Sequence, residues 1–277
     1  IDRQRHFGID ALKTNIPLFV LLRGHYWSEI NWNKKTIYKS LPKRIALSQW
    51  DKLGKEIFNG ATAILPICKY LEKITNKFVP GKSTNVFSEG VDASKWYQVK
   101  GMNLKHPCIG LLQRANWWGK TSEMLILKNV LEKMPNTHFY WAGDGPLRER
   151  ILSELDQYDN FHWLGNLQYP DKVREYLSEI DVYALITGMD LASLTLKEAQ
   201  LMKKPVVATN VGGNQEMMID GKTGFLVQQG NHEQLIDKLS LLLEDKELAK
   251  KMGNEGRKFI EETFNWELVT KNFIKIM

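Results

Sequence analysis

The 277-residue sequence predicts an α/β protein made of parallel sheets covered by helices. Three observations predict this. Short β-branched and aromatic runs alternate with stretches whose apolar residues recur at helical spacing, a βαβα rhythm along nearly the whole chain. The content, 43% hydrophobic and 25% charged, is ordinary for a globular protein and sufficient for one or two cores. The longest clean apolar runs, such as residues 16–22, are strand-sized and well short of the roughly 20 residues that span a bilayer.

In chain order, residues 17–22 and 61–66 read as strands, followed by a helix over 69–77 and a short strand at 85–87. Strands then fall at 107–112, 138–141, 161–164, 182–186 and 205–209. Helices fall between them at 122–134, 146–155, 173–179 and 196–202, and a long helical tail begins at Glu233. The polar stretch 100–107, with Gly101 and Pro107, predicts a domain break. The expected organisation is a first domain over 1–100, a second over 101–266, and a last helix, 267–277, joined to the first. The sequence contains no internal repeat. It begins at Ile1 rather than Met, so residues upstream are expected to have been removed or to lie outside this sequence.

The net charge of +6 suits phosphate-bearing ligands, anionic membranes or nucleic acid, and equally suits plain solubility. No aromatic–basic motif of a nucleic-acid module occurs, so no nucleic-acid partner is expected. Cys68 and Cys108 both lie in apolar runs and read as core residues of a reduced compartment. With no signal peptide, the expected location is cytoplasmic.

In open parallel sheets ligands bind beyond the carboxyl ends of the strands. The most informative segment there is DLASLTLKEAQLMKKPVVATNVGG (190–213). A strand leads through a loop into a helix that begins around Ser193, Leu194 and Thr195. A helix N-terminus offers unpaired N–H groups and partial positive charge, a seat for phosphate. Glu198 reads as a first-turn carboxylate able to accept hydrogen bonds from ribose hydroxyls, and Asp190 as lying at the loop mouth near a sugar. Thr195 and Glu198 also satisfy a capping box, with Thr195 as N-cap.

This segment resembles the Glu-x7-Glu region of glycosyltransferase family 4, with Asp190 in place of the first Glu. PVVATNVGGNQEMMIDGKTGFLV (205–227), GLLQRANWWGK (110–120), FYWAGDGPLRERI (139–151), FHWLGNLQ (161–168), NVFSEGVDASKWY (85–97) and FNWELV (264–269) resemble further segments of that family, in the same order. The resemblance implies the GT-B architecture, two Rossmann-like domains facing across a cleft, with the N-terminal one short or truncated here. It implies a retaining, metal-independent transfer of a sugar from a UDP- or GDP-sugar to a hydroxyl of a glycan, lipid-linked or small-molecule acceptor. The leaving phosphate takes the acceptor's proton. The donor is a substrate, and no resident cofactor is expected.

By resemblance, Arg114 and Lys120 hold the donor diphosphate, as a planar fork and a mobile point charge. The spacing between them departs from the family pattern, and Lys120 also reads as a solvated lysine. Backbone at Ser193, Leu194 and Thr195 meets the distal phosphate, Glu198 the ribose and Asp190 the sugar. Gly143 and Gly145 read as letting the backbone approach the donor, and Gly165 as a further donor-binding position. Gly143 and Gly145 also read as a tight turn with Pro146 opening a helix. His25, in LLRGHYWSE, matches a histidine that touches the donor sugar, and also reads as a structural histidine. No metal ligand set is expected, because no Asp-x-Asp triplet occurs. Tyr26, Trp27, Trp32 and Trp50 look exposed and, with the basic stretch 34–44, suit a lipid-linked acceptor at the inner membrane face, though such aromatics also serve as core. Two other readings fit the same residues: a nucleotide-sugar 2-epimerase, and a non-catalytic nucleotide-sugar-binding subunit.

Overall fold

The computed structural model describes residues 6–35 and 38–276. Thr36 and Ile37, inside the basic stretch considered above, lie outside the described residues. The chain divides into two compact units. One gathers residues up to Glu89 together with those from Val269 onward, and the other runs from Gly90 to Leu268.

The first unit contains α1 (His6–Leu12), β1 (Phe19–Leu22), α2 (Tyr26–Lys35), α3 (Leu41–Gly60), β2 (Ala63–Pro66) and α4 (Lys69–Phe78). β1 and β2 pair in parallel, in register from Phe19 with Ala63 to Leu22 with Pro66. Every residue of β2 is buried, as in a strand covered on both faces. The short strand expected at 85–87 is not one. The chain there follows β2 only intermittently, with Asn85 N–H donating to Ile64 O and Phe87 N–H to Pro66 O. The exposed aromatics expected at Tyr26 and Trp27 are instead core. Trp27 stacks on Phe58 at 5.6 Å and on Phe78 at 4.6 Å between centroids, and Tyr26 meets Phe58 edge-on. Trp32 is half-buried and Trp50 is exposed.

The second unit is a six-stranded parallel sheet: β3 (Cys108–Leu112), β4 (His138–Ala142), β5 (Phe161–Gly165), β6 (Val182–Leu185), β7 (Val206–Thr209) and β8 (Gly224–Val227). Its order is β5-β4-β3-β6-β7-β8. This is the doubly wound order, in which the chain starts mid-sheet, works outward to one edge, then crosses back and works to the other. The direction reverses between β3 and β6, so the crevice beyond their carboxyl ends is the expected ligand position.

The connections are α5 (Trp118–Thr121) and α6 (Leu127–Lys133), bridged by a 3-10 turn, then α7 (Arg148–Leu155), α8 (Asp171–Glu179) and α9 (Leu194–Leu201). α10 (His232–Glu244), α11 (Lys246–Thr263) and α12 (Trp266–Ile274) follow. Ile109, Leu111, Phe139, Trp141, Val182, Ala184 and Val207 from the strands form one core with Leu127, Val130, Ile151, Leu235 and Leu239 from the helices. α9 is buried nearly all round. α11 packs against it closely because Gly253 and Gly256 carry no side chain: a Cβ on Gly253 would lie 2.0 Å from Lys203 O.

The unit boundary lies at Gly90, ahead of the expected break after residue 100. The intervening residues are tied to the second unit. Val91 N–H donates to Phe264 O, Val99 N–H to Ser178 Oγ, Gln98 Nε2 to Met202 O, and Arg257 Nη1 to Trp96 O. The helix expected from Pro146 begins at Arg148, so Pro146 precedes the cap Leu147 rather than opening the helix. Among the described residues, no helix is long and apolar enough to cross a membrane.

Candidate functional site

β3 ends at Leu112 and delivers Gln113 and Arg114 to the switch point. Gln113 is buried and locks the two central strands together: its Nε2 donates to Ile186 O at 2.9 Å and its backbone N–H to Ala142 O at 3.1 Å. Ala115 N–H donates to Asp144 O at 3.0 Å, so the backbone is fixed on both sides of Arg114. The Arg114 side chain is exposed, and no side chain among the described residues bonds or pairs with it. An always-charged fork held on rigid backbone and left unneutralised is available to an anion.

The glycines after β4 explain how that backbone is held. Gly143 has φ +152°, and a Cβ there would lie 2.0 Å from Gln113 O. A Cβ on Gly145 would lie 2.5 Å from Ala115 O. These glycines let the β4 loop press against the Arg114 segment, so their contact is with protein. Gly165 ends β5 with φ +70° and accepts Gly143 N–H at 2.8 Å.

α5 places Lys120 beside the loop that follows β6. Gly188 N–H donates to Lys120 O at 2.9 Å, and a Cβ on Gly188 would strike Gly119 O at 2.3 Å. That approach joins the two side chains: Lys120 Nζ lies 2.5 Å from Asp190 Oδ2. Asp190 Oδ1 accepts Leu191 N–H at 2.9 Å, and its carbonyl accepts Gly213 N–H at 2.9 Å. The cation expected on phosphate and the carboxylate expected on sugar are thus each other's partners.

Ser193, not Thr195, caps α9, and its Oγ accepts Leu196 N–H at 3.3 Å. The capping-box reading therefore fails, because with the helix starting at Leu194 the Glu198 side chain lies a full turn in, not in the first turn. Thr195 Oγ1 instead meets Ser193 Oγ at 3.2 Å and Tyr183 OH at 2.7 Å, and Tyr183 OH reaches Leu112 O. This chain of hydroxyls fixes the helix start to the ends of β3 and β6. The N–H groups of Leu194 and Thr195 have no carbonyl four residues back within the helix.

Glu198 is 5% exposed. Burial pushes its carboxyl up to about 7, and the hydrogen bond from Tyr169 OH, 3.1 Å away, opposes that shift only in part. Tyr169 is itself pushed up to about 12 by burial and by Glu198. Tyr169 was not singled out in the sequence. Its only sequence signal is its place in the loop after β5, next to Pro170.

His25 lies in the first unit, between β1 and α2. Its Nδ1 accepts Ser28 N–H at 3.2 Å, and its Nε2 is 3.2 Å from Ser28 Oγ. The ring caps its own helix, and burial lowers its pKa, which keeps it neutral.

A doubly wound sheet with a helix start, an unpaired arginine and a buried carboxylate at its switch point defines a Rossmann-like α/β class. Residues 96–259 match the family model described as "Glycosyl transferases group 1", and the chain belongs to that family. It is 35% identical over 206 residues to the capsular polysaccharide biosynthesis glycosyltransferase CapM of Staphylococcus aureus, covering 73% of this chain and 46% of that protein. Sucrose-phosphate synthase from Thermosynechococcus elongatus superposes with a TM-score of 0.80 at 19% identity, over 97% of this chain and 69% of that one. Anabaena HepE in complex with UDP and glucose superposes with a TM-score of 0.75 at 15% identity, over 98% and 73%. At these identities the likeness shows the fold alone, which is GT-B. The chain spans less than two thirds of the length of the first curated relatives it matches.

Proposed function

We propose that this chain is a retaining glycosyltransferase that binds a nucleotide-diphosphate sugar at the β3/β6 switch point and passes its sugar to a hydroxyl of a glycan acceptor. The observation that carries the reading is the buried Glu198 carboxyl in the α9 turn behind an open helix N-terminus. Two hydroxyls on adjacent carbons of a ribose would supply the donors that this desolvated carboxylate lacks. The diphosphate would then reach the N–H groups of Leu194 and Thr195 and the free Arg114 guanidinium. These groups stabilise the charge that builds on a departing diphosphate, the electrostatic role that a divalent ion plays elsewhere. HepE was solved with UDP and glucose bound, and CapM is named for polysaccharide biosynthesis; both support a nucleotide sugar and a glycan product.

The test is calorimetric titration with UDP, GDP and ADP, followed by turnover of the matching sugars in chelator. Arg114→Ala and Glu198→Ala each remove most of the binding and transfer. Undiminished binding in both variants refutes the site. Binding without turnover against any glycan acceptor refutes the transferase, and release of a C2 epimer without acceptor replaces it with an epimerase.

A further inference from the structure

At the other end of the second sheet lies a cluster that the donor site does not use. Cys108 opens β3, Asp181 immediately precedes β6, and His106 stands two residues ahead of Cys108. The strand starts are laced reciprocally: Cys108 N–H donates to Asp181 Oδ2 at 2.8 Å, and Asp181 N–H to Cys108 O at 3.1 Å. His106 Nδ1 is 2.8 Å from Asp181 Oδ2 and 3.6 Å from Cys108 Sγ. One nitrogen, one sulfur and one oxygen therefore converge within 4.8 Å of one another. On the far side of the ring, Glu179 Oε1 takes His106 Nε2 at 2.9 Å.

We propose that His106, Cys108 and Asp181 bind a divalent cation of borderline softness, with Zn2+ the best match, at the amino ends of β3 and β6. Ligand atoms about 2.0–2.3 Å from a tetrahedral zinc lie roughly 3.3–3.7 Å apart. The sulfur–nitrogen separation already meets this, and the nitrogen–oxygen pair needs to open by about half an ångström. Glu179 occupies the outer position that carboxylates take behind metal-bound histidines, where it fixes the ring and leaves Nδ1 as the ligating nitrogen. A plain ion pair would use His106 and the two carboxylates. The buried thiol set against the ring nitrogen is a third donor for which an ion pair has no use. On binding, the cation replaces the thiol proton and the Nδ1 proton, and thiolate and carboxylate together neutralise it with no change of oxidation state. Exposed His106 leaves one side open for a water as fourth ligand. Lys204 Nζ, held by Ser178 O and Ile180 O, and Lys246 Nζ, 4.0 Å from Asp181 Oδ1, are the opposing charges that limit the affinity. Bound metal would staple the segment leading into the sheet to the α8–β6 turn.

The test uses the whole reduced chain titrated with Co2+, whose bonds to thiolate give charge-transfer absorption in the near ultraviolet. The expected result is one equivalent of cobalt with that absorption, bleached when Zn2+ displaces it and absent from Cys108→Ser. Glu179→Gln, which keeps all three ligands, retains the absorption but binds about 10-fold more weakly. Wild-type protein that shows no thiolate absorption overturns the proposal, whether or not any variant folds. Absorption that survives in Cys108→Ser overturns it too.

Discussion

The most exacting prediction concerns the stability of the second unit against pH. The perturbation is Glu198→Gln, which keeps the shape of the side chain and removes its titration. Glu198 is 5% exposed, and burial raises its carboxyl from 4.5 to about 7. The folded chain therefore holds a proton in a window where the unfolded chain has released it. The stabilisation is fully present below about pH 4.5 and is lost as the pH climbs through about 7. Its full size is about 3 kcal/mol. Between pH 5 and pH 8 most of it, roughly 2–3 kcal/mol, disappears from the wild-type protein. Other groups titrate over this range in both proteins, so the informative quantity is the variant-minus-wild-type difference. Urea unfolding at the two pH values should show that difference moving by roughly 2–3 kcal/mol in favour of Glu198→Gln at the higher pH. An unchanged difference would mean that the carboxyl is ionised across the range, and the argument from its burial would fail.

The remaining predictions follow from the same geometry. Arg114→Ala should weaken nucleoside-diphosphate binding about 10- to 100-fold, the value of a charge-assisted hydrogen bond or two, with the urea midpoint unchanged because the side chain is exposed and unpaired; calorimetry and unfolding check both halves. Tyr169→Phe removes the hydrogen bond that favours ionised Glu198, so the pH at which Glu198 titrates should rise, as read by carboxyl NMR. Gly212→Ala should destabilise by about 2 kcal/mol or more, because Gly212 has φ +56° and the added carbon would lie 1.8 Å from Asp190 O; thermal unfolding reports it.

The sheet was legible in the sequence because its strands are short apolar runs bounded by loops and its helices keep their periodicity. β8 was missed because Gly224 breaks its apolar run and only Phe225–Val227 remain. α2 was missed because its face mixes tryptophan, asparagine and lysine, and only packing of Trp27 against Phe58 and Phe78 gives it an inside; α3 was missed as well. The helix start proposed as a phosphate seat was legible as a helix start because a strand, a loop and a cap leave a recognisable order of residues. Its details were not. Ser193, Thr195 and Asp190 all suit a cap or a ligand in one dimension, and only the fold brings Tyr183 and Lys120 to two of them and leaves Ser193 the cap. The pairing of Lys120 with Asp190 spans the chain from α5 to the β6 loop, and nothing local encodes it. Tyr169 reaches Glu198 by the same kind of long-range approach.

That pairing has a consequence for selectivity. Because Asp190 already answers the charge of Lys120, an arriving anion must out-compete a tethered carboxylate before it gains the lysine. The exchange costs ~1 kcal/mol for a partly exposed pair. A monovalent anion recovers little more than it displaces, whereas a diphosphate that also holds Arg114 and the helix start recovers several such contacts. In the proposed donor complex the loop would act as a filter on ligand valence, favouring nucleoside diphosphates over monophosphates and over the chloride and carboxylates that surround them in solution.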